Sequence, residues 1–211
     1  DNFEWLYHLW WFRHSIVDLG QWPAANPTVF YPFGYDLNLS ESMWANKALI
    51  APFLFWGNEV LAFNALLLIS FVLTGYTTYL LIAYLTGNRY GAVIGAAVFT
   101  FAPYRIHAMG AGWLPLISTQ WIPLAFLYLE RMLREGHWRH ALAAGFCVGL
   151  IALSSWYYLY IVGLFIVLSL VVRLWSWRHR LVRFHIWRNL LLAGAVALVM
   201  IVPVALPALH Q

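Results

Sequence analysis

Charge is what this sequence has least of. Only 9% of its 211 residues are Asp, Glu, Lys or Arg, where an ordinary soluble domain carries about 25%. So little charge excludes a conventional soluble enzyme domain and a nucleic-acid-binding module, which needs basic side chains for the phosphate backbone. Cysteine is nearly absent too. Cys147 stands alone, so there is no internal disulfide framework and the redox compartment goes unread. Hydrophobic residues make up 63% and aromatic residues 18%, which excludes a disordered chain. An integral membrane protein remains. The chain begins with Asp1, without an initiator Met or a charged-then-apolar leader, so we expect a piece of a longer protein.

The net charge of +4 divides unevenly. Residues 1–57 hold five acids (Asp1, Glu4, Asp18, Asp36, Glu41) and two bases (Arg13, Lys47), giving −3. The remaining ten bases and three acids give +7. An acidic head on a basic, apolar body indicates membrane sidedness rather than a polyanionic partner.

Intervals without charge supply the organisation. Glu59 and Arg89 bound 29 uncharged residues, Arg89 and Arg105 bound 15, Arg105 and Glu130 bound 24, and Arg139 and Arg173 bound 33. A span needs about 20 apolar residues at about 1.5 Å each. Residues 60–86 and 187–209 each make one. Residues 140–172 would run roughly 50 Å as a single helix, too long for a hydrocarbon core of about 30 Å. Both flanks of that stretch carry arginine clusters, and cytoplasmic loops collect Arg and Lys. The two flanks therefore share a side, and the stretch reads as a hairpin of 139–154 and 156–174 turning at Ser154–Tyr158. Residues 90–132 read as a second hairpin, 90–104 and 113–132.

The expected fold is an all-α integral membrane protein of about six membrane helices, including two short hairpins, preceded by an interfacial helix and an outer loop. Residues 1–57 form the extracytoplasmic part and 58–211 the transmembrane domain. This arrangement puts nine bases inside and three outside, which orients the chain in a cytoplasmic (plasma) membrane.

The outer face holds the chemistry. Residues 2–19 predict an amphipathic helix at the interface, with Phe3, Trp5, Leu6, Leu9, Trp10, Phe12, Ile16 and Val17 on one arc and Glu4, Tyr7, His8, Trp11, His14, Ser15 and Asp18 on the other. Glu4/His8 and His14/Asp18 are carboxylate–imidazole pairs at i,i+4. Such pairs tune a general base or hold a divalent ion, or merely face water. The turn Phe30–Asp36, with Tyr31 and Asp36, suits sugar stacking and hydroxyl binding, or rests on the interface as an aromatic belt. Arg105 and His107 are the basic groups of an outer turn. Arg105 either forks onto phosphate oxygens or snorkels to ordinary headgroups. Trp156 and Tyr157 lie in an uncharged polar-aromatic tip, suited to binding or to helix packing.

In order and spacing, the stretches DNFEWLYHLWW (1–11), FYPFGYDL (30–37), FAPYRIH (101–107), STQWIPLA (118–125) and LSSWYY (153–158) resemble the membrane half of a GT-C superfamily glycosyltransferase of the bacterial multi-spanning kind. The resemblance covers essentially the whole chain. It implies transfer of a sugar from a polyprenyl-phosphate carrier to an acceptor on the outer face. Asp1 stands where the family's essential acid does, directly after the first transmembrane helix. The resemblance implies that Asp1, with Glu4, takes the acceptor's proton. Arg105 and His107 would stabilise the phosphate leaving group, with Tyr31, Asp36, Trp156 and Tyr157 binding substrate. A divalent cation is an open cofactor. Membrane lipid and a polyprenyl-phosphate-linked sugar are the implied partners.

Two other functions compete. One is a non-catalytic subunit or lipid-binding scaffold alongside other membrane subunits. The other is a transporter, weakened because no ionisable group is expected at mid-span, where ion-coupled carriers place one. With Cys147 removed, single cysteines in residues 1–57 should react with an impermeant thiol reagent from outside the cell. Cysteines beside Arg134 or Arg188 should not. Labelling of both groups from one side would refute the topology.

Overall fold

The computed structural model describes residues 2–39, 41, 43–176 and 184–209, and the chain is almost entirely helical. Ten helices follow in order among these residues. They are α1 (Asn2–Val17), α2 (Trp44–Trp56), α3 (Glu59–Thr86), α4 (Arg89–Thr100) and α5 (Pro103–Ala111), then α6 (Leu114–Ile117), α7 (Trp121–Glu135), α8 (Trp138–Ser154), α9 (Trp156–Ser176) and α10 (Phe184–Leu209). A two-residue ribbon, Ala25–Asn26 against Tyr35–Asp36, folds the loop between α1 and α2.

Four segments are long and apolar enough to cross a membrane: Glu59–Thr86, Arg89–Ala111 (α4 with α5), Trp156–Arg173 and His185–Leu206. Trp138–Ser154 is apolar but shorter. This is an all-α membrane protein. Its ends are cut by capping chemistry. Asn58 accepts the Leu61 amide at 2.8 Å to start α3, and Asn88 accepts the Tyr90 and Gly91 amides at 3.0 and 3.1 Å to start α4. The helices approach closely where side chains vanish. A Cβ on Gly145 of α8 would lie 2.3 Å from the Ala193 carbonyl oxygen of α10, and one on Gly149 would lie 2.5 Å from Met200 Sδ.

The expected hairpin of 90–104 and 113–132 takes a different form. α4 stops at Thr100, α5 follows it to Ala111, and the expected helix from 113 is broken into α6, the irregular Ser118–Gln120 and then α7. The breaks coincide with Pro103, Pro115 and Pro123, and irregular backbone within an apolar bundle survives only where protein groups satisfy it. Those groups are present. Arg105 donates to the Thr100 and Ile117 carbonyls at 2.8 and 2.9 Å. Ser70 of α3 donates at 2.9 Å within reach of both Ile117 O and Gln120 Oε1. Thr77 donates to Gln120 O at 3.1 Å, and Thr74 meets Thr119 at 3.1 Å.

The remaining helices assemble around α8, which packs against α7, α9 and α10. Ala125, Cys147, Ile151, Tyr158 and Val162 form one core between α7, α8 and α9. The Tyr158 hydroxyl donates to Leu116 O, while Arg173, a helix length further on, pairs with Glu130, which also pairs with Arg134. α9 therefore runs alongside α7 in the same direction. At the arginine-bearing end of α7, Glu135 bonds His140 of α8 at 2.8 Å. Arg178, Arg180 and Arg183 lie outside the described residues.

α1 is helical as expected, and the face it turns to the rest of the protein draws on both expected arcs. Trp5, His8, Leu9, Trp11 and Ser15 are buried, whereas Phe3, Trp10, Ile16 and Val17, placed on the apolar arc, are exposed. The inner face straddles the two expected arcs, and two of its polar members, Trp11 and Ser15, find partners. Trp11 Nε1 donates to Pro23 O at 3.1 Å, and Ser15 Oγ to Trp11 O at 2.8 Å.

The chain's single lysine is buried in the same layer. Lys47 of α2 is 1% exposed, with its ammonium 5.4 Å from the Phe12 ring and 5.3 Å from the Trp44 ring. Burial pushes it down to about 7. The unfolded chain therefore holds this proton across pH 7–10 while the folded chain has released it, so folding gains stability as pH rises through that window. Lys47→Met keeps the stem and deletes the charge. Its melting temperature in detergent should exceed the parent's at pH 6.5, with the gap closing towards pH 10. A constant gap would refute the account.

Candidate functional site

One carboxylate is built into the loop-bearing end of the bundle. Glu41, half-buried between the ribbon loop and α2, reaches the first turn of α9, where its Oε1 and Oε2 accept the Trp156 amide at 3.0 and 3.3 Å. That amide is free because only Ser155, in extended conformation, separates α8 from α9, and a helix's first turn has no internal acceptors. The positive end of the α9 dipole favours the anion. Burial nevertheless pushes the Glu41 carboxyl above its ordinary value, against the opposing pull of the Ser155 hydroxyl and the Tyr157 and Trp156 amides.

Around Glu41 lies a pocket of about 290 Å³ whose other walls are Trp5, Trp113, Pro115, Leu116 and Tyr157. Four segments converge to make it. α1 brings Trp5, the residue before α6 brings Trp113, α6 brings the floor, and α9 brings Tyr157. The joint is tight. Gly112, at φ +73°, ends α5 directly against Asn2, whose Oδ1 would lie 1.6 Å from a Cβ at that position. Behind the pocket, His8 stacks on Trp5 with ring centroids 5.3 Å apart. Burial, with the Lys47 charge adding, pushes His8 down to about 4, so this imidazole is neutral at physiological pH. On the other side His107 sets its edge on Trp113 at 5.5 Å. Trp5 Nε1 is buried without an acceptor among the described residues.

The expected site residues separate into two groups. Trp156 and Tyr157 meet here, and His107 touches the wall. Arg105 is 2% exposed and sits in the α4–α5 joint, with two donors on carbonyls and its guanidinium 4.2 Å over the Phe71 ring. It does not line the pocket. Tyr31 is exposed, and Asp36 caps its own loop by accepting the Asn38 amide at 2.8 Å. Asp36 lines a separate open groove of about 510 Å³ with Asn26, Phe33 and Tyr35. Glu4 is exposed on α1. Asp1 lies outside the described residues.

Of the two imidazole–carboxylate pairs, His14 and Asp18 bond at 2.7 Å, whereas no ion pair joins Glu4 to His8. No group of three or more His, Cys, Asp or Glu side chains is placed to hold a metal among the described residues. Glu41, Trp5 and Trp113 escaped the sequence reading. Glu41 is 115 residues from Trp156, and its sole local mark is a carboxylate in a short polar run.

No protein-family model, no curated protein and no solved structure matches the chain. Function therefore rests on the site itself. Glu41→Ala should strip the Trp156 amide of its acceptor and cost about 1–2 kcal/mol, a capping-scale loss. Glu41→Gln keeps an acceptor oxygen and should lose less than half of that. Equal losses in thermal denaturation would refute the cap.

Proposed function

We propose that this chain is the membrane half of a GT-C-like glycosyltransferase that moves a sugar from a polyprenyl-phosphate carrier to an acceptor at the outer face of a bacterial plasma membrane. The observation carrying the reading is the pocket. Aromatic walls and a carboxylate at the loop-bearing end of an apolar bundle suit a polar ring on a lipid tether. Trp113 and Tyr157 stack on the sugar, Trp5 Nε1 donates to a hydroxyl, and Glu41 accepts from another. In this reading α8 and α9 form a membrane hairpin, and residues 1–57 face outward with the 154–158 turn. The prenyl chain lies in the apolar groove of about 400 Å³ between α3 and α4, lined by Phe71, Tyr76, Tyr79 and Phe101.

Asp1 acts as general base, worth roughly 10²–10⁴-fold. It takes the proton of the acceptor hydroxyl as the oxygen bonds the anomeric carbon. The bond from that carbon to the carrier phosphate breaks, and the phosphate leaves with the electron pair, its charge met by His107 at the pocket's edge and by Arg105 only where it exchanges a backbone carbonyl for the phosphate.

A second reading is a non-catalytic, lipid-holding subunit. The observation favouring it is that the Arg105 donors are engaged with backbone carbonyls, so a phosphate must compete for them. Transfer of radiolabelled sugar in vesicles carrying the complete protein separates the two. Asp1→Asn should cut turnover at least about 100-fold with donor binding intact. Glu41→Gln should weaken donor binding about tenfold. Arg105→Lys should reduce binding and turnover together. Undiminished transfer by Asp1→Asn would end its assignment as base, and absence of transfer by the parent would leave the scaffold reading.

A further inference from the structure

The pocket's electrostatics are more specific than sugar stacking requires. Among the described residues Glu41 is the sole charged side chain on its wall, and it is half-buried. A carboxylate offers about four lone-pair sites, and those not taken by the first turn of α9 remain for a ligand. Trp5, Trp113 and Tyr157 supply three aromatic rings beside it, whose faces carry negative quadrupole density. The neighbouring groups that could bring positive charge are held off. His8, behind Trp5, is buried and neutral. Lys47 turns its ammonium to Phe12 and Trp44. His107 is exposed on the outer edge of Trp113. Arg105 is spent on Thr100 and Ile117. Aromatic rings grouped beside one carboxylate in an open pocket are the chemistry that recognises an ammonium ion. The volume, about 290 Å³, sits at the small end of ligand sites, about 300–1,000 Å³.

We infer that the Trp5–Glu41–Trp113–Tyr157 pocket selects a ligand carrying an ammonium group. Two sources share that chemistry, an amino sugar on the lipid-linked donor and the ammonium headgroup of a phospholipid. An acidic sugar is excluded by like charge against Glu41. The inference rests on the pocket reading given above and narrows its substrate class.

The test uses the full chain in nanodiscs of phosphatidylglycerol, which contribute no ammonium. Calorimetric titration with tetramethylammonium chloride should show at least tenfold tighter binding than neopentyl alcohol, its neutral counterpart of the same shape. Glu41→Gln, which retains the acceptor for the Trp156 amide, should remove that preference. Trp113→Leu should weaken tetramethylammonium binding about tenfold. Two further pairs identify the source. Preference for methyl glucosaminide over methyl glucoside assigns an amino sugar, and preference for glycerophosphoethanolamine over glycerophosphoglycerol assigns a headgroup. Equal binding of tetramethylammonium and neopentyl alcohol, an unchanged preference in Glu41→Gln, or no preference in either pair overturns the inference. Transfer of a neutral sugar without ammonium preference would refute this inference and leave the transferase reading standing. Ammonium selectivity without transfer would do the reverse.

Discussion

A carbonyl oxygen inside an apolar bundle has no water to turn to, and leaving one unpaired costs several kcal/mol. The break between α5 and α7 puts several such oxygens at one place, and the surrounding architecture follows from satisfying them. Arg105 folds back onto Thr100 and Ile117, and Ser70, Thr74 and Thr77 line one face of α3 to meet residues 117–120. Gln120 then extends a weak contact to Asn46 of α2, 3.4 Å away. Ser70, Thr74 and Thr77 of α3 are thus spent on holding a bent neighbour. That bend carries Trp113 and Leu116 to the loop-bearing end, where a straight helix would have buried them.

The pocket exists because two irregularities coincide there. One is the broken α5–α6 backbone and the other is the one-residue link at Ser155. The first presents an aromatic wall. The second exposes the amides of a fresh helix start, which an acid must answer. Glu41 answers them from a loop that is itself tied down, since Asn26 donates to Tyr7 of α1 at 2.8 Å and Trp44 donates to Asn38 at 3.0 Å. The same side chain therefore fixes the loop, starts α9 and charges the cavity.

Much of the fold was legible because length and hydropathy act over whole helices. The spans at 60–86 and 187–209 needed only charge-free stretches, and 156–174 needed the arginine clusters on both flanks of its stretch as well. The helix at 2–17 was legible as a helix, yet its inward face was not. Wheel geometry ranks side chains by apolarity, and Trp11 and Ser15 went inward because Trp11 bonded Pro23 and Ser15 bonded a carbonyl of its own helix. The Ser118–Gln120 interruption was hidden for a related reason. Its proline signals were visible, but the hydroxyls that make a break affordable stand 43 or more residues away on α3. For the site, Tyr157 and His107 were marked by local aromatic and basic patterns. Glu41 was not, because its importance comes from a helix end that it meets only in three dimensions.

The tight seat of Asn2 against Gly112 and the reach of Glu41 to Trp156 mean that the pocket is assembled from chain segments spread from residue 2 to residue 157. Its Tyr157 wall and the anchor of Glu41 are in place only once α9 has joined the segments that precede it. Whatever fills it then favours the finished arrangement over every partly inserted one, and raises the resistance of the whole bundle to unfolding in proportion to the logarithm of its concentration.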